Sequence, residues 1–276
     1  MRLPRPLLLA AVALLAVGGT AAATPRPAAA PARVAPAPAA ETLTYVTGAR
    51  VAIPWEIPTP LRRATVSCPA GQVPASGGLV GYPDRFQFTV TSSYAEGRSW
   101  IITGRGEEAL SSGEIAATVV CSSAPHHQVF GARVDLAKDE TKIIRQPCPA
   151  GEVPTGGGGR GSGPGVMLKT SMPNLHTWEA WYYNNTGAAH HVEPFTVCSA
   201  APHHVVVGRA GNVTKWGGTG TSVVQCQAGS RVKGGGGNST STVLIHSSFE
   251  GNGWRVHSRN LTAETQQVTA LAVCAD

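Results

Sequence analysis

Apolar and polar residues alternate along several short stretches of this chain, and the alternation predicts half-buried β-strands. The clearest stretches are residues 86–91 and 268–273, and residues 166–170 follow the same period less regularly. Successive side chains of a strand point to opposite faces of a sheet, so a period of two places one set in the core and the other at the surface. Valine and threonine are frequent, and no stretch has the period of a long helix. An all-β fold is therefore predicted.

Glycine is abundant, with 33 residues, and forms runs at residues 77–78, 156–159, 217–218 and 234–237. Because glycine adopts the backbone conformations that tight turns require, each run is interpreted as a turn between strands. The run at 156–161 contains the spacing GxGxxG, but it does not open a helix, so dinucleotide binding is not predicted.

The chain contains three copies of one unit, each bounded by two cysteines. Within each copy a glycine run is followed by a serine (Ser93, Ser171, Ser248) and then by a tryptophan (Trp100, Trp178, Trp254). The first cysteine and the tryptophan are 32, 30 and 28 residues apart, and the tryptophan and the second cysteine 21, 20 and 20. A short segment upstream of each copy's first cysteine also matches among the three copies. The full unit is therefore about eighty residues long and runs over roughly 42–121, 122–198 and 199–276.

Three copies of a β unit predict a pseudo-threefold arrangement. The unit is longer than a β-trefoil repeat, so a β-prism of three sheets fits better. A linear chain of three small β domains is the alternative.

The pattern Cys-Pro-Ala-Gly, Gly-Gly-Gly, Ser-x-Pro, Trp, Asn, Val-Cys resembles repeats of secreted actinobacterial proteins. The second copy carries it most completely, with Ser171-Met172-Pro173, Trp178 and Asn184, whereas the first copy lacks the proline and the asparagine. The threefold plan is similar to the β-prism of the vitelline membrane outer layer family. That resemblance implies an extracellular binding role and carries over no catalytic residue.

The N-terminal region has the features of a secretory signal peptide. Arg2 and Arg5 precede an apolar run over residues 7–17, and small residues follow at 21–23. This predicts a signal peptide over residues 1–23, and the run is too short for a transmembrane segment. Residues 24–41 are rich in alanine and proline and are interpreted as a disordered spacer before a β domain at 42–276. A spacer followed by an apolar segment resembles the adaptor subunit of secreted actinobacterial toxin particles.

Six cysteines in a secreted chain favour disulfides over metal binding, and no CxxC pair occurs. Two pairings respect the repeat. Either each copy closes on itself (Cys68–Cys121, Cys148–Cys198, Cys226–Cys274), or neighbouring copies are joined (Cys121–Cys148, Cys198–Cys226, Cys68–Cys274). We favour the first pairing, one disulfide per repeat, because it makes each unit self-contained. Each closed loop then contributes roughly 4 kcal/mol of stability in the chain-entropy model.

Charge and motifs exclude several functions. The formal net charge is +6, and the basic residues are scattered, so nucleic-acid binding is not predicted. GxSxG and HExxH are absent, and we predict no catalytic residue and no cofactor. Histidine pairs at 126–127, 190–191 and 203–204 suggest metal ligands. However, adjacent residues of a strand point to opposite faces, so no metal site is predicted.

The six tryptophans fall into two groups. Those that obey the repeat are interpreted as core residues, with a sugar-stacking platform as the alternative. Trp55, Trp181 and Trp216 break the repeat, which makes them better candidates for function.

These observations predict a secreted, non-enzymatic binding or adaptor protein that acts by protein–protein contact. Val51, Ile53, Trp55 and Ile57 are spaced by prolines and follow the spacer, so they are predicted to form an N-terminal docking arm. The alternative is a carbohydrate-binding protein that uses equivalent loops of the three repeats. The expected partner is another secreted protein or a glycan.

Overall fold

The computed structural model describes residues 41–54, 60–83, 88–106 and 112–275. The predicted signal peptide, residues 24–40 of the predicted spacer, and Trp55 and Ile57 of the predicted docking arm lie outside the described residues. The described part of the chain forms 21 strands and no helix, which confirms the all-β prediction.

Each repeat supplies seven strands. The first repeat forms β1 (Leu43–Thr47), β2 (Val51–Ile53), β3 (Arg62–Ser67), β4 (Val73–Tyr82), β5 (Phe88–Glu96), β6 (Ser99–Gly106) and β7 (Gly113–Ser122). The second forms β8 (His127–Phe130), β9 (Val134–Leu136), β10 (Thr141–Pro147), β11 (Val153–Gly161), β12 (Val166–Asn174), β13 (Thr177–Asn184) and β14 (His190–Ser199). The third forms β15 (His203–Val207), β16 (Gly211–Val213), β17 (Thr219–Gln225), β18 (Arg231–Ser239), β19 (Thr242–Glu250), β20 (Gly253–Asn260) and β21 (Gln266–Ala275).

The strands form three antiparallel sheets, and each sheet combines four strands of one repeat with three of another. Sheet 1 has the order β1-β7-β4-β19-β20-β17, with β2 also on β7. Sheet 2 has the order β3-β6-β5-β11-β14-β8, with β9 also on β14. Sheet 3 has the order β10-β13-β12-β18-β21-β15, with β16 also on β21. The repeats exchange strands in a closed cycle, which gives the predicted threefold prism. The alternative of three separate domains is wrong, because no repeat completes a sheet alone.

Three of the four glycine runs lie inside strands, so their interpretation as turns is wrong. Residues 77–78 belong to β4, 156–159 to β11 and 234–237 to β18, and only the run at 217–218 lies in a turn region. A Cβ added at Gly157 would lie 2.4 Å from the Trp178 ring. The equivalent pairs are Gly77 with Trp100 and Gly235 with Trp254, at 2.3 and 2.5 Å. These glycines are needed because a ring packs flat on the backbone at each position.

The three repeat tryptophans are core residues, as predicted, and each is at most 2% exposed. Each indole N–H donates a hydrogen bond to a serine Oγ seven residues earlier. The pairs are Trp100 with Ser93 at 3.2 Å, Trp178 with Ser171 at 2.9 Å and Trp254 with Ser247 at 2.9 Å. The equivalent serine of the third repeat is therefore Ser247, and its alignment at Ser248 from the sequence is wrong by one residue. This bond satisfies a donor that burial would otherwise leave unpaired.

The disulfides follow the pairing within repeats: Cys68–Cys121, Cys148–Cys198 and Cys226–Cys274. Each one nevertheless joins two sheets. The first cysteine follows an edge strand (β3, β10 or β17), and the second lies on a strand of the adjacent sheet (β7, β14 or β21). The three bonds therefore crosslink each pair of adjacent sheets in the prism. Three disulfides also indicate an oxidising environment.

The repeats meet at three equivalent β-bulges, in β4, β11 and β18, which insert Ala75, Thr155 and Lys233. All three residues are fully buried. The Thr155 hydroxyl donates to the Ala75 carbonyl at 2.6 Å, and a Cβ added at Gly234 would lie 2.1 Å from the Thr155 carbonyl oxygen. The bulges thus contact one another where the three repeats converge.

Lys233 introduces a charge into this buried junction. Its Nζ lies 2.8 Å from Oε2 of Glu41, whose side chain is 18% exposed. Glu41 also accepts a hydrogen bond from the Ser122 hydroxyl at 2.5 Å. Burial acts to raise the pKa of Glu41, but the interactions with Lys233 and Ser122 outweigh it and hold the pKa below its usual value. The segment that enters β1 is therefore attached to the core by an ion pair.

Candidate ligand-binding site

A cavity of about 400 Å³ lies where the second and third repeats meet. From sheet 3 it is lined by Thr141 at the start of β10, Lys169 on β12, Tyr183 on β13 and Asn185 after β13. From the third repeat it is lined by Ser241 and Val243 around the start of β19, and by Leu261 and Thr262 after β20. Its volume is within the usual range for small-ligand sites.

Lys169 is placed at this cavity by a β-bulge between Leu168 and Thr170. The side chain is half-buried, and its Nζ lies 5.8 Å from the centre of the Tyr183 ring. Burial lowers the pKa of the Lys169 ammonium, because the charged form is less well hydrated there. The bulges of the other repeats place Thr91 and Ile245 at the equivalent positions. A charged residue at the bulge position is therefore found only at this junction.

Two loops at the cavity share one hydrogen-bonded motif. The Asn260 side chain is fully buried, and its Oδ1 accepts bonds from the backbone N–H and the hydroxyl of Thr262, both at 2.8 Å. Asn184 and Thr186 repeat the arrangement at 3.1 and 2.7 Å. The Asn-x-Thr sequences of these loops thus have a structural role, since a buried asparagine side chain cannot accept a glycan. The motif holds Leu261 and Asn185 in place at the cavity.

Trp216 lies beside the same loop. Its backbone N–H donates to the Thr262 carbonyl at 3.0 Å, and its side chain is 70% exposed. Its φ is +48°, in the left-handed region, where the second repeat has Asp139 at +54°. Aspartate tolerates this region better than a bulky residue, so tryptophan here carries strain of roughly 1–2 kcal/mol. Trp216 does not itself line the cavity, but its backbone bonds to a loop that does. An exposed, strained aromatic in this position is a candidate for function.

The predicted docking-arm residues are placed elsewhere. Val51 and Ile53 form β2, which pairs with β7 in sheet 1, and neither lines the cavity. Val51 is half-buried. Ile53 is fully buried, and so are its equivalents in the other repeats, Leu136 and Val213. Ile53 is therefore part of the core. Partner binding by Trp55 and Ile57 stays a prediction.

A second group of polar side chains lies at another repeat junction. Ser248 Oγ lies 2.9 Å from His246 Nε2 beside a smaller groove, of about 170 Å³. Both residues line this groove but are only 3% and 8% exposed, so little of either side chain is accessible from it. Within the described ranges, no three His, Cys, Asp or Glu side chains lie close enough together to hold a metal ion.

Sequence reasoning identified Trp216 but missed Lys169, Tyr183 and the remaining cavity residues. Trp216 was detectable because it breaks the repeat. Lys169 also differs from the corresponding residues of the other repeats. Those residues can be identified only from the β-bulges, which align the three copies.

No helix in the described part of the chain is long and apolar enough to cross a membrane. No protein-family model matches the chain, and no curated protein matches it at a significant level. The functional assignment therefore depends on the geometry of the cavity and of Trp216.

Proposed function

We propose that this is an extracellular, non-enzymatic binding protein whose ligand is a glycan held in the cavity between the second and third repeats. The observation that carries the proposal is the strained, exposed Trp216 hydrogen-bonded to the loop that lines this cavity. The three disulfides support an extracellular setting, since they persist in oxidising compartments.

The chemistry of the lining fits a saccharide. Thr141, Asn185, Ser241 and Thr262 offer short hydroxyl and amide groups that can donate and accept hydrogen bonds. Val243 and Leu261 offer apolar surface for the C–H face of a sugar ring. Ligand sites commonly combine apolar surface with a few well-placed polar groups in this way.

The exposed side chain of Trp216 also suits a saccharide ligand. Its flat apolar ring and indole N–H can contact both the C–H face and the hydroxyls of a sugar. The ring is mostly in solvent, so stacking on a ligand would bury area that is now exposed.

The cavity supports one site rather than three similar ones. Lys169 corresponds to Thr91 and Ile245 in the other repeats, and Tyr183 corresponds to Arg105 and Arg259. The prediction of multivalent binding by equivalent loops is therefore less well supported than a single asymmetric site.

The test is a glycan array with the full-length secreted protein and two matched variants. Trp216→Asn removes the ring and keeps a residue that tolerates a left-handed φ. Leu175→Asn is the control, because Leu175 is also a large apolar residue with a left-handed φ, +53°, and is 86% exposed. It occupies the turn after β12, six residues or roughly 20 Å along the strand from Lys169.

We expect Trp216→Asn to weaken glycan binding about tenfold or more, since exposed aromatic anchors are frequent binding hot spots. Leu175→Asn should bind as the wild type does. Binding to no glycan, or equal loss in both variants, would refute the proposal.

A further inference from the structure

Building on the proposed glycan site, we infer that its ligand is an acidic saccharide, and that Lys169 binds a carboxylate of that saccharide. The inference goes beyond glycan binding as such, because it names the charged group that the cavity selects.

The first argument is the charge of the cavity. Lys169 is the one charged residue of the lining, and the other seven lining residues are neutral. No carboxylate of the described residues lies within ion-pair distance of its Nζ. Lys138, Lys142 and Lys233, by contrast, each have a carboxylate within 4.0 Å. The cavity thus holds a positive charge that the described part of the protein does not neutralise.

The second argument is energetic. The Lys169 ammonium is half-buried, and burial lowers its pKa because the charged form loses hydration. The Tyr183 ring, at 5.8 Å, compensates only weakly, since a cation–π contact at a partly exposed site contributes about 0.5–1 kcal/mol. A ligand anion would offset the remaining cost, and the gain is larger in a partly desolvated site than in open solvent.

The third argument identifies the anion as a carboxylate. Phosphate and sulfate sites usually combine several cationic or backbone donors, often with a bidentate arginine or a helix N-terminus. Here one ammonium shares the cavity with neutral hydroxyl and amide groups from Thr141, Tyr183 and Asn185. That set matches a single negative charge with two acceptor oxygens.

The fourth argument is positional. The bulge in β12 places a lysine where the other repeats have Thr91 and Ile245. Neither of those side chains can bind an anion by charge. The charged residues at those junctions are instead Arg105 and Arg259, which stand where this junction has Tyr183, so a lysine ammonium at the bulge position is found only at the junction of the second and third repeats.

The test uses an array on which each uronic-acid saccharide is paired with its methyl ester, together with sulfated and phosphorylated saccharides. The ester keeps the shape of the ligand and removes the charge. We expect the wild-type protein to bind the acid form about 10- to 100-fold more tightly than the ester, as is typical when a charged hydrogen bond is lost.

Lys169→Met should abolish the difference between acid and ester while it keeps the affinity for the ester. The control is Arg63→Met, which removes one positive charge from sheet 2, a sheet that contributes no residue to the cavity. Arg63 is 54% exposed, and this variant should retain the wild-type preference for the acid.

Four results would overturn the inference. Equal wild-type binding of acid and ester, or tighter binding of sulfated or phosphorylated saccharides, would refute a carboxylate ligand and leave glycan binding intact. A preference for the acid that survives in Lys169→Met would refute the role of this lysine. Binding to no member of the array would refute both the inference and the proposed function.

Discussion

Replacing Glu41 with glutamine would leave the ammonium of Lys233 buried without its counterion. Lys233 is fully buried at the convergence of the three repeats, and its Nζ lies 2.8 Å from the Glu41 carboxylate. At an effective dielectric constant of about 20, two unit charges at this distance attract by roughly 6 kcal/mol. The desolvation of both groups offsets part of that attraction. Loss of one partner from a buried pair typically destabilises a protein by about 3–5 kcal/mol.

A double-mutant cycle separates the interaction energy between Glu41 and Lys233 from the effect of each single substitution. Thr155 occupies the position equivalent to Lys233 in the second repeat, so Lys233→Thr is a substitution that this junction already accommodates. We expect Glu41→Gln alone to cost about 3–5 kcal/mol of unfolding free energy. In the background of Lys233→Thr the same change should cost less than about 1 kcal/mol, because no buried charge remains to be paired.

Urea denaturation at neutral pH, followed by tryptophan fluorescence, measures all four proteins of the cycle. The three core tryptophans report on the packing of the prism, and linear extrapolation gives each free energy. If Glu41→Gln costs the same in both backgrounds, the two side chains do not interact energetically. That result would refute the ion pair as the attachment of the N-terminal segment to the core.

Three further predictions test other parts of the fold. Burial lowers the pKa of His126 to about 4, so the unfolded chain binds a proton that the folded chain does not between pH 6.5 and 4. The free energy of unfolding, measured by urea titration, should therefore fall by up to about 3 kcal/mol as the pH is lowered over this range. His126→Asn should remove most of this pH dependence, whereas the control His127→Asn, at an exposed position, should not. Gly157→Ala should destabilise the protein by about 3 kcal/mol or more, because the new Cβ would lie 2.4 Å from the Trp178 ring; a change under about 1 kcal/mol in urea unfolding would contradict this packing. Leu175→Gly should raise the melting temperature by about 2–4 °C, since it relieves a left-handed φ of +53°; an unchanged or lower value in calorimetry would argue against strain at this turn.

Several features could be predicted because they depend on local pattern and on chain periodicity. The period of two indicates strands, and the spacing of cysteines and tryptophans defines three equivalent units. That periodicity leaves two cysteine pairings, and the favoured one, within repeats, is confirmed. The interpretation of Trp100, Trp178 and Trp254 as core residues is confirmed as well.

The glycine runs show why local pattern is insufficient. Glycine has no Cβ, and this property serves a tight turn and the close approach of a ring to a strand equally well. Only the packing of Trp178 on Gly157 distinguishes the two roles. The one-residue error at Ser248 has a different origin. The third repeat has two adjacent serines, and a constant spacing of seven residues before the tryptophan selects Ser247, in agreement with the strand register.

The candidate site was only partly predictable. Trp216 could be identified because it departs from the repeat. Lys169 and Tyr183 lie on neighbouring strands of sheet 3, whereas Leu261 and Thr262 follow the last strand that the third repeat gives to sheet 1. No feature of the linear sequence indicates that these segments meet, because their proximity results from the exchange of strands between repeats.

The amino-acid sequence by itself determined the strand content, the threefold repeat and the tryptophan core, and it reduced the repeat-compatible cysteine pairings to two, since each of these depends on spacing along the chain. The tertiary structure alone decided that neighbouring repeats share sheets, that a buried lysine pairs with Glu41, and that one repeat junction encloses a cavity. These features arise from contacts between residues far apart in sequence. Such contacts are selected by the packing of whole sheets, which no local pattern encodes.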